Sequence, residues 1–302
     1  VRALVTGASG FAGRYLVRAL EEQGASILAC GRPAEDGDFF PLDLTDVSTI
    51  RAALDLAQPD FVFHLAAQTF VPESLASPLP TYETNIIGTA LLAQAVRDYA
   101  AATHTMPRII FTSSAEVYGQ RDPSEIPVRE HLDARPANPY AASKAAGEAI
   151  LGAEQRCLGL DVVIARSFNH IGPGQSDRFV IASFAVQLAA IARGAPPELW
   201  VGNLEAARDF LDVRDVVRAY IALARFGESG ETYNVSSGRA LKIREVLRQL
   251  IEIAHMPVEV REDPARMRPL DVPVFVGDPG KLQAATGWHP EVPLSRSLRE
   301  IY

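Results

Sequence analysis

Cysteine is nearly absent from this chain: Cys30 and Cys157 are the two in 302 residues. They are too few for a disulfide framework and lack the spacing of a metal site. The six His are scattered, with no H-E-x-x-H pair, so metal catalysis is not expected. No apolar run reaches membrane-spanning length; Ile181 to Ala192 comes nearest and is interrupted by Ser183 and Gln187. The chain opens on a strand-like run with no signal-peptide pattern, which together with the cysteine usage makes a reducing cytoplasm the expected compartment. An excess of positive charge is lacking too. Lys and Arg number 29 against 37 Asp and Glu, a formal charge of -8, which argues against a nucleic-acid surface or an anionic membrane as partner. An anionic small molecule stays open, because it needs only a few local Arg. Among the cations Lys is scarce: Lys144, Lys242 and Lys281 are the three in the chain.

What is present reads as an ordinary globular protein. A composition of 48% hydrophobic and 22% charged residues gives ample core for one large α/β domain, or a domain with a smaller lobe. The apolar run Arg2 to Thr6 ends in Gly7-Ala8-Ser9-Gly10-Phe11-Ala12-Gly13, and Tyr15 to Leu20 then follows helical periodicity until Gly24 stops it. Strand, glycine turn and helix in that order form a dinucleotide-binding pattern. Gly7 permits the tight turn, Gly10 lets a pyrophosphate approach backbone N–H groups, and Gly13 allows close helix packing. Ala25 to Cys30 reads as a second strand, followed by Gly31-Arg32 where an acidic residue would select NAD. Arg32 suits a 2′-phosphate, so NADP(H) is expected as the preferred cofactor, with NAD(H) as a permitted one.

Further on, Asp43-Leu44-Thr45-Asp46 precedes a helix to Ala57, with Thr45 as the expected N-cap. Phe61 to Ala67 reads as a buried strand ending in small residues, and a helix carrying Asn85 runs from about Thr81 to Ala101. Arg108 to Ser114 is another strand, running into Ala115-Glu116, and Leu160 to Arg166 one more. This alternation implies a Rossmann-type, doubly wound parallel sheet with Asp43, Ala66, Ser114 and Glu116 on the rim formed by the strands' carboxyl ends. Beyond Arg166 the alternation loosens. Helices are expected at Ile243 to Ala254 and Pro279 to Thr286, and short strands near Thr232 to Val235 and Val274 to Val276. The Pro-rich stretch from Pro257 to Pro273 reads as extended loop. Residues 1–168 are thus expected to form the cofactor domain. Residues 169–302 are expected to form mainly a smaller C-terminal α/β substrate lobe, with some segments free to return to the sheet.

The stretch Asn138-Pro139-Tyr140-Ala141-Ala142-Ser143-Lys144 organises the rest. Pro139 sits where a helix can start, and positions four apart share a helix face, so Tyr140 and Lys144 point into one site. A nearby cation favours phenolate, so Lys144 is expected to lower the Tyr140 pKa and make the phenol both proton donor and acceptor. A chain that uses Arg almost everywhere keeps Lys here, where a compact point charge differs from a planar guanidinium.

Gly7-x-x-Gly10-x-x-Gly13, Ser114 and Tyr140-x-x-x-Lys144 together resemble the extended short-chain dehydrogenase/reductase family over essentially the whole chain. The resemblance implies that Tyr140 is the acid–base, that Lys144 supports it and bonds the nicotinamide ribose, and that Ser114 holds the reacting oxygen. It places Gly7, Gly10, Phe11, Gly13 and Arg32 at the cofactor, together with Asp43, Leu44, Leu65, Ala66 and Ala67; Asn85 falls in a further cofactor-contact motif. The C-terminal half is similar to enzymes acting on nucleotide sugars, whose substrate-binding positions Asn169, Val180, Arg208 and Arg268 match. Two Arg suit one diphosphate.

The reaction this implies is NADPH-dependent reduction of the C4 ketone of GDP-4-keto-6-deoxy-D-mannose to GDP-D-rhamnose. A dehydratase acting on GDP-mannose, or another nucleotide-sugar dehydratase or epimerase, is the alternative. Ser114-Ala115-Glu116 keeps the spacing at which dehydratases carry a proton-abstracting Glu, so Glu116 is a further catalytic candidate. Two departures favour the reductase: the short segment from Arg32 to Asp43, and a turn Ile171-Gly172-Pro173-Gly174-Gln175 without basic residues. A non-catalytic NADP-binding module is a remoter reading, disfavoured by the retention of Tyr140 and Lys144. Related enzymes pair through the equivalent of the Tyr140 helix, which here carries Ala145, Ala146 and Ala149, so a two-fold homodimer is expected.

Overall fold

In the first strand Ala3 and Val5 face one core cluster and Leu4 the other, and all three are buried. Such a strand needs cover on both faces, which is the condition of a parallel sheet between helix layers. The structure, a computed structural model, describes residues 1–31, 39–267 and 272–302 and has that arrangement. In chain order the strands begin β1 (Arg2–Thr6), β2 (Ser26–Gly31), β3 (Phe40–Pro41), β4 (Phe61–His64), β5 (Arg108–Ser114) and β6 (Val162–Ser167). They continue with β7 (Asn169–Ile171), β8 (Glu198–Val201), β9 (Ala207–Asp212), β10 (Thr232–Val235), β11 (Ala240–Lys242), β12 (Glu259–Glu262) and β13 (Val274–Phe275). Seven of them form one sheet in the order β3-β2-β1-β4-β5-β6-β10, every pair parallel. The order reverses between β1 and β4, which opens a crevice at their carboxyl ends. This is the Rossmann-type sheet that the alternation implied, with β10 added beyond β6.

The helices are α1 (Phe11–Glu21), α2 (Val47–Ala57), α3 (Val71–Ala76), α4 (Pro78–Tyr82), α5 (Gly88–Thr103) and α6 (Pro139–Leu158). After them come α7 (Val180–Ala192), α8 (Val213–Phe226), α9 (Ile243–Ala254), α10 (Gly280–Thr286) and α11 (Leu294–Ile301). On one face of the sheet α1 and α8 close over Val5, Phe63 and Ile110 with Leu16, Leu20, Val216 and Tyr220. On the other, α2, α5 and α6 bring Ile50, Leu54, Leu92, Val96 and Leu151 onto Leu4, Val62 and Ile109. The smaller lobe is built around β9. Its first residues pair with β11 antiparallel and β13 parallel, and Phe210 to Asp212 pair with β7. A separate core of Phe184, Leu188, Leu199, Phe210, Leu247 and Leu250 supports it.

Some local expectations change for tertiary reasons. The cap of α2 is Asp46, whose carboxylate accepts from Ser48 N at 2.9 Å; Thr45 instead donates its hydroxyl and N–H to Asp43 Oδ1. The helix read from Thr81 to Ala101 is α4, a π-helical turn at Glu83–Ile87, and α5. Such turns insert an extra residue and recur at functional sites; this one carries the buried Asn85. The Pro-rich stretch contains a strand, because Glu259 to Glu262 pair in parallel with β8. That edge comes from a distant part of the chain, so local composition gives no sign of it. Thr232 to Val235 is a strand as read, and it lies in the large sheet.

Candidate active site

β1 and β4 end side by side, and the glycines between them have little freedom to be anything else. Gly7 has φ +71°, a conformation that favours Gly, and a Cβ there would lie 2.6 Å from the Ala66 nitrogen. A Cβ on Gly13 would overlap the Gly7 carbonyl, so the close helix-on-strand approach depends on glycine. Gly10 is the N-cap of α1 and makes no side-chain cap bond, which leaves first-turn N–H groups open to an anion. Phe11, the first residue of α1, stacks on His170 at 6.0 Å, and Tyr15 donates to the Pro173 carbonyl at 2.9 Å. These contacts dock the 169–175 turn onto the start of α1.

On the β4 side, Leu65 N reaches Thr6 O and Ala66 N reaches Thr6 Oγ1, each at 3.2 Å, with Ala67 half-buried beyond them. Asp43 closes its own turn through Thr45, and Leu44 is buried against Gly88. Arg32 lies outside the described residues.

A buried chain of hydrogen bonds ties this crevice to α6. Thr89 Oγ1 donates to Asn85 O at 2.6 Å, so it accepts from His64 Nε2 at 3.1 Å, and His64 Nδ1 accepts from Thr6 Oγ1 at 2.9 Å. Burial, followed by the Lys144 charge, pushes the His64 pKa down to about 3; the ring is a neutral strut. Asn85 accepts from Gln68 N at 2.8 Å and donates to Gln68 O and to Ser143 Oγ, each at 2.9 Å.

α6 itself starts where the sequence says it should. Asn138 Oδ1 accepts from Ala141 N at 2.8 Å, Pro139 occupies the first turn, and Gly159 ends the helix at φ +72°. Gly147 lets α6 approach β5, since a Cβ there would lie 2.6 Å from the Phe111 ring. Lys144, one turn earlier, is buried and donates to the Thr112 carbonyl at 2.7 Å, with its Nζ 4.9 Å from the Phe111 ring centroid. Ser114 ends β5; its hydroxyl bonds the Tyr140 phenol and accepts from Glu116 N at 3.2 Å. Ser114, Tyr140 and Lys144 are thereby brought together at the strand rim. Glu116 is held beside them by Asn138 Nδ2, which donates to its Oε2 at 3.1 Å.

The electrostatics overturn one expectation. The Tyr140 phenol is not lowered: burial pushes its pKa up to about 12, against the bond from Ser114, and the Glu116 carboxylate raises it further. Lys144 directs its ammonium at a backbone carbonyl, and the lost hydration of a phenolate sets the direction of the Tyr140 shift. Burial also holds the Lys144 pKa down to about 8, with Glu148 opposing the drop.

The described residues expected to hold substrate lie on elements of the smaller lobe. Asn169 Nδ2 donates to Asp209 O at 3.2 Å. Val180 begins α7, exposed beside Phe179, whose ring meets Phe70 edge-on at 6.2 Å. Arg208 Nη1 donates to Ala207 O at 2.9 Å and Val272 O at 2.6 Å. Asp209, next to it, is fully buried and accepts from Ser237 N, Ser237 Oγ, Gly238 N and Gly277 N. Arg268 lies outside the described residues. A cavity of about 480 Å³ lined by Arg129, His131, Glu231, Asp278 and Lys281 includes none of these groups.

A family model described as GDP-mannose 4,6 dehydratase matches residues 4–301. The chain belongs to that family. This family member is 40% identical to the GDP-6-deoxy-D-mannose reductase of Pseudomonas aeruginosa, across 99% of this chain and 95% of that protein. It is 28% identical to the GDP-mannose 4,6-dehydratase of Yersinia enterocolitica, across 99% and 92%. The solved structure of RMD from Pseudomonas aeruginosa complexed with NADPH superposes with a TM-score of 0.89 at 38% identity, covering 100% of this chain and 97% of that one. UDP-glucose 4-epimerase of Thermus thermophilus in complex with NAD gives 0.87 at 32% identity, again over 100% and 97%. The protein is therefore an enzyme on the extended short-chain dehydrogenase/reductase frame that the sequence resembles.

Several residues that shape this enzyme's site escape the motif reading. Asn138 carries a readable signal, an amide immediately before a helix-starting Pro. His64, Glu148, Arg166 and Asp209 carry none, because their partners come from elements distant in the chain.

Proposed function

We propose that this enzyme is an NADPH-dependent reductase that converts the C4 ketone of GDP-4-keto-6-deoxy-D-mannose to the alcohol of GDP-D-rhamnose. The setting of Tyr140 is compatible with this. Its phenol sits on Ser114 with a pKa pushed up to about 12, so at neutral pH it is an acid. Ketone reduction calls for a proton donor, and a buried phenol beside Ser114 can be one. The relative named GDP-6-deoxy-D-mannose reductase supports the reading most.

NADP(H) fits the Gly7 to Gly13 turn, where side chains are excluded at Gly7 and Gly13 and the first turn of α1 lacks a side-chain cap. The relative's NADPH complex and the sequence Gly31-Arg32 at the end of β2 favour the 2′-phosphate form, with NAD(H) as the lesser cofactor. When bound, the cofactor supplies the hydride that C4 accepts. Tyr140 delivers its proton to the developing alkoxide, Ser114 holds that oxygen, and Lys144 stabilises the charge left on the phenolate. Gly10, Phe11, Asp43, Leu44, Leu65, Ala66 and Ala67 serve the cofactor side. Asn169, Val180, Arg208 and Arg268 hold the nucleotide sugar, the two Arg at its diphosphate.

A dehydratase reading rests on Ser114-Ala115-Glu116 and on the family description. The bond from Asn138 gives Glu116 a different occupation. The deciding measurement is stoichiometric. GDP-4-keto-6-deoxymannose with NADPH should give one oxidised cofactor per sugar product, and turnover of GDP-mannose without net nicotinamide change would make the enzyme a dehydratase.

Among the described residues no helix is long and apolar enough to cross a membrane, and a reducing cytoplasm remains the proposed compartment. A two-fold homodimer is proposed as well: Leu75, Leu79 and Ile87 are exposed on segments packed beside α6. Light scattering at micromolar concentration should give twice the chain mass.

A further inference from the structure

One helical turn beyond Lys144, α6 carries a buried charge that the proposed reaction does not use. Glu148 and Arg166 have side chains only 10% and 9% exposed. Arg166 grips the carboxylate at both oxygens, Nε to Oε1 at 2.9 Å and Nη2 to Oε2 at 2.6 Å. Ser113 donates to Oε1 at 2.5 Å, and the guanidinium lies over the Tyr118 ring at 4.7 Å. Ser113 follows Thr112 on β5, and Thr112 is the residue whose carbonyl takes the Lys144 ammonium. A buried ion pair is weak evidence for stability, because its desolvation cancels much of its attraction. A specific electrostatic use accounts better for its place.

Among the described residues, counter-charge around Lys144 is sparse. Around it stand Tyr140 and Glu148 on its own helix, the neutral His64 on β4, and the Phe111 ring and Thr112 carbonyl on β5. Burial raises the Tyr140 pKa and so favours the neutral phenol. Burial drives the Lys144 pKa down, and Glu148 is the group that opposes the drop, despite its pairing with Arg166. The Arg166 grip also occupies both carboxylate oxygens. Glu148 can then act on Lys144 through space without drawing the ammonium off Thr112.

We propose that Glu148, aimed by Arg166 and Ser113, is a positioning residue that keeps Lys144 charged in its dehydrated setting. Its consequence for catalysis rests on the reductase reading above, whereas its effect on Lys144 does not. Biosynthetic labelling with lysine carrying carbon-13 at Cε gives three resonances, since Lys144, Lys242 and Lys281 are the three Lys, and Lys144→Arg identifies one of them. In the parent protein Lys144 should titrate near 8. Glu148→Gln should lower that midpoint by about one pH unit or more, roughly a tenfold shift toward the neutral amine. Glu148→Asp, which keeps the charge, should stay within about half a unit of the parent. Lys242 and Lys281 should not move in either variant.

Should Glu148→Gln fail to fold with Arg166 left unpaired, Glu148→Gln combined with Arg166→Met removes both buried charges, and the Lys144 midpoint must still fall. A purely structural Glu148 would lower the melting temperature of both single variants and leave the Lys144 midpoint unchanged, and that result overturns the proposal. The basic limb of the kcat profile for keto-sugar reduction should move to lower pH together with the midpoint in Glu148→Gln. A shifted midpoint in a protein that does not reduce the keto sugar would remove the reductase reading and leave the role of Glu148 intact.

Discussion

Ser114, Tyr140 and Lys144 are anchored in the seven-stranded sheet and the helix packed on it, whereas Asn169, Val180 and Arg208 stand on strand ends and helix starts of the smaller lobe. In the sheet half, Ser114 and Lys144 are buried, and desolvation shifts both the phenol and the ammonium far from their ordinary pKa values. In the lobe half, Asn169 and Val180 are exposed and Arg208 is partly so. A dry, pre-aimed cluster suits one proton and hydride chemistry; exposed side chains beside loops can be exchanged without disturbing a core. The difference fits relatives whose names span a reductase, a dehydratase and an epimerase on one frame.

The largest expected effect tests the sheet half. Tyr140→Phe removes the proposed acid and should lower kcat about a hundredfold or more, with NADPH binding measured by fluorescence nearly unchanged. A mild loss of kcat would mean that another group protonates the sugar. The lobe half should fail differently. Arg208→Ala should raise KM for the nucleotide sugar about ten- to a hundredfold, as expected for a lost charge-assisted contact, and disturb kcat less. A variant that instead lost NADPH affinity would dissolve the division between the two regions.

Glu116→Gln is a smaller perturbation inside the sheet half. It keeps the partner of Asn138 while removing a charge that helps hold the phenol protonated. Ketone reduction at pH 7 should stay within about threefold of the parent, and abolished reduction would make Glu116 part of the reducing machinery.

The smallest effect concerns the exception in the lobe, the buried Asp209. Burial pushes its carboxyl from 3.8 up to about 6, against the bonds from Ser237, Gly238 and Gly277. Because the folded form holds the proton more tightly, the stability it contributes is full below about pH 4 and is lost as pH rises through 6. Asp209→Asn abolishes that titration. The parent's melting-temperature advantage over the variant should therefore shrink between pH 4 and 7, and a constant difference would show that Asp209 does not titrate there.

Much of the local structure in both halves was legible in the sequence. Gly7, Gly10 and Gly13 between a strand and a helix, Pro139 at a helix start, and Ile243 to Ala254 as a helix are patterns whose causes act within a few residues. The cap of α2 shows the limit even there, since Thr45 and Asp46 compete and the side-chain bonds to Asp43 decide. The site is harder. Tyr140 and Lys144 fall on one helix face by spacing alone, yet the direction of the phenol pKa is set by burial, with Ser114 opposing it and Glu116 adding to it.

By itself, then, the sequence determined where strands, helices and glycine turns form and which residue types reach the strand rim, because capping, backbone freedom and apolar period are local. The tertiary structure alone decided that β10 joins the large sheet, that Glu259 to Glu262 pair with β8, that Asn85 sits on a π turn bonded to Gln68 and Ser143, and that burial raises the Tyr140 pKa. Strand pairing and the loss of water around a charge are set by atoms far apart in the chain, and they meet only after it has folded.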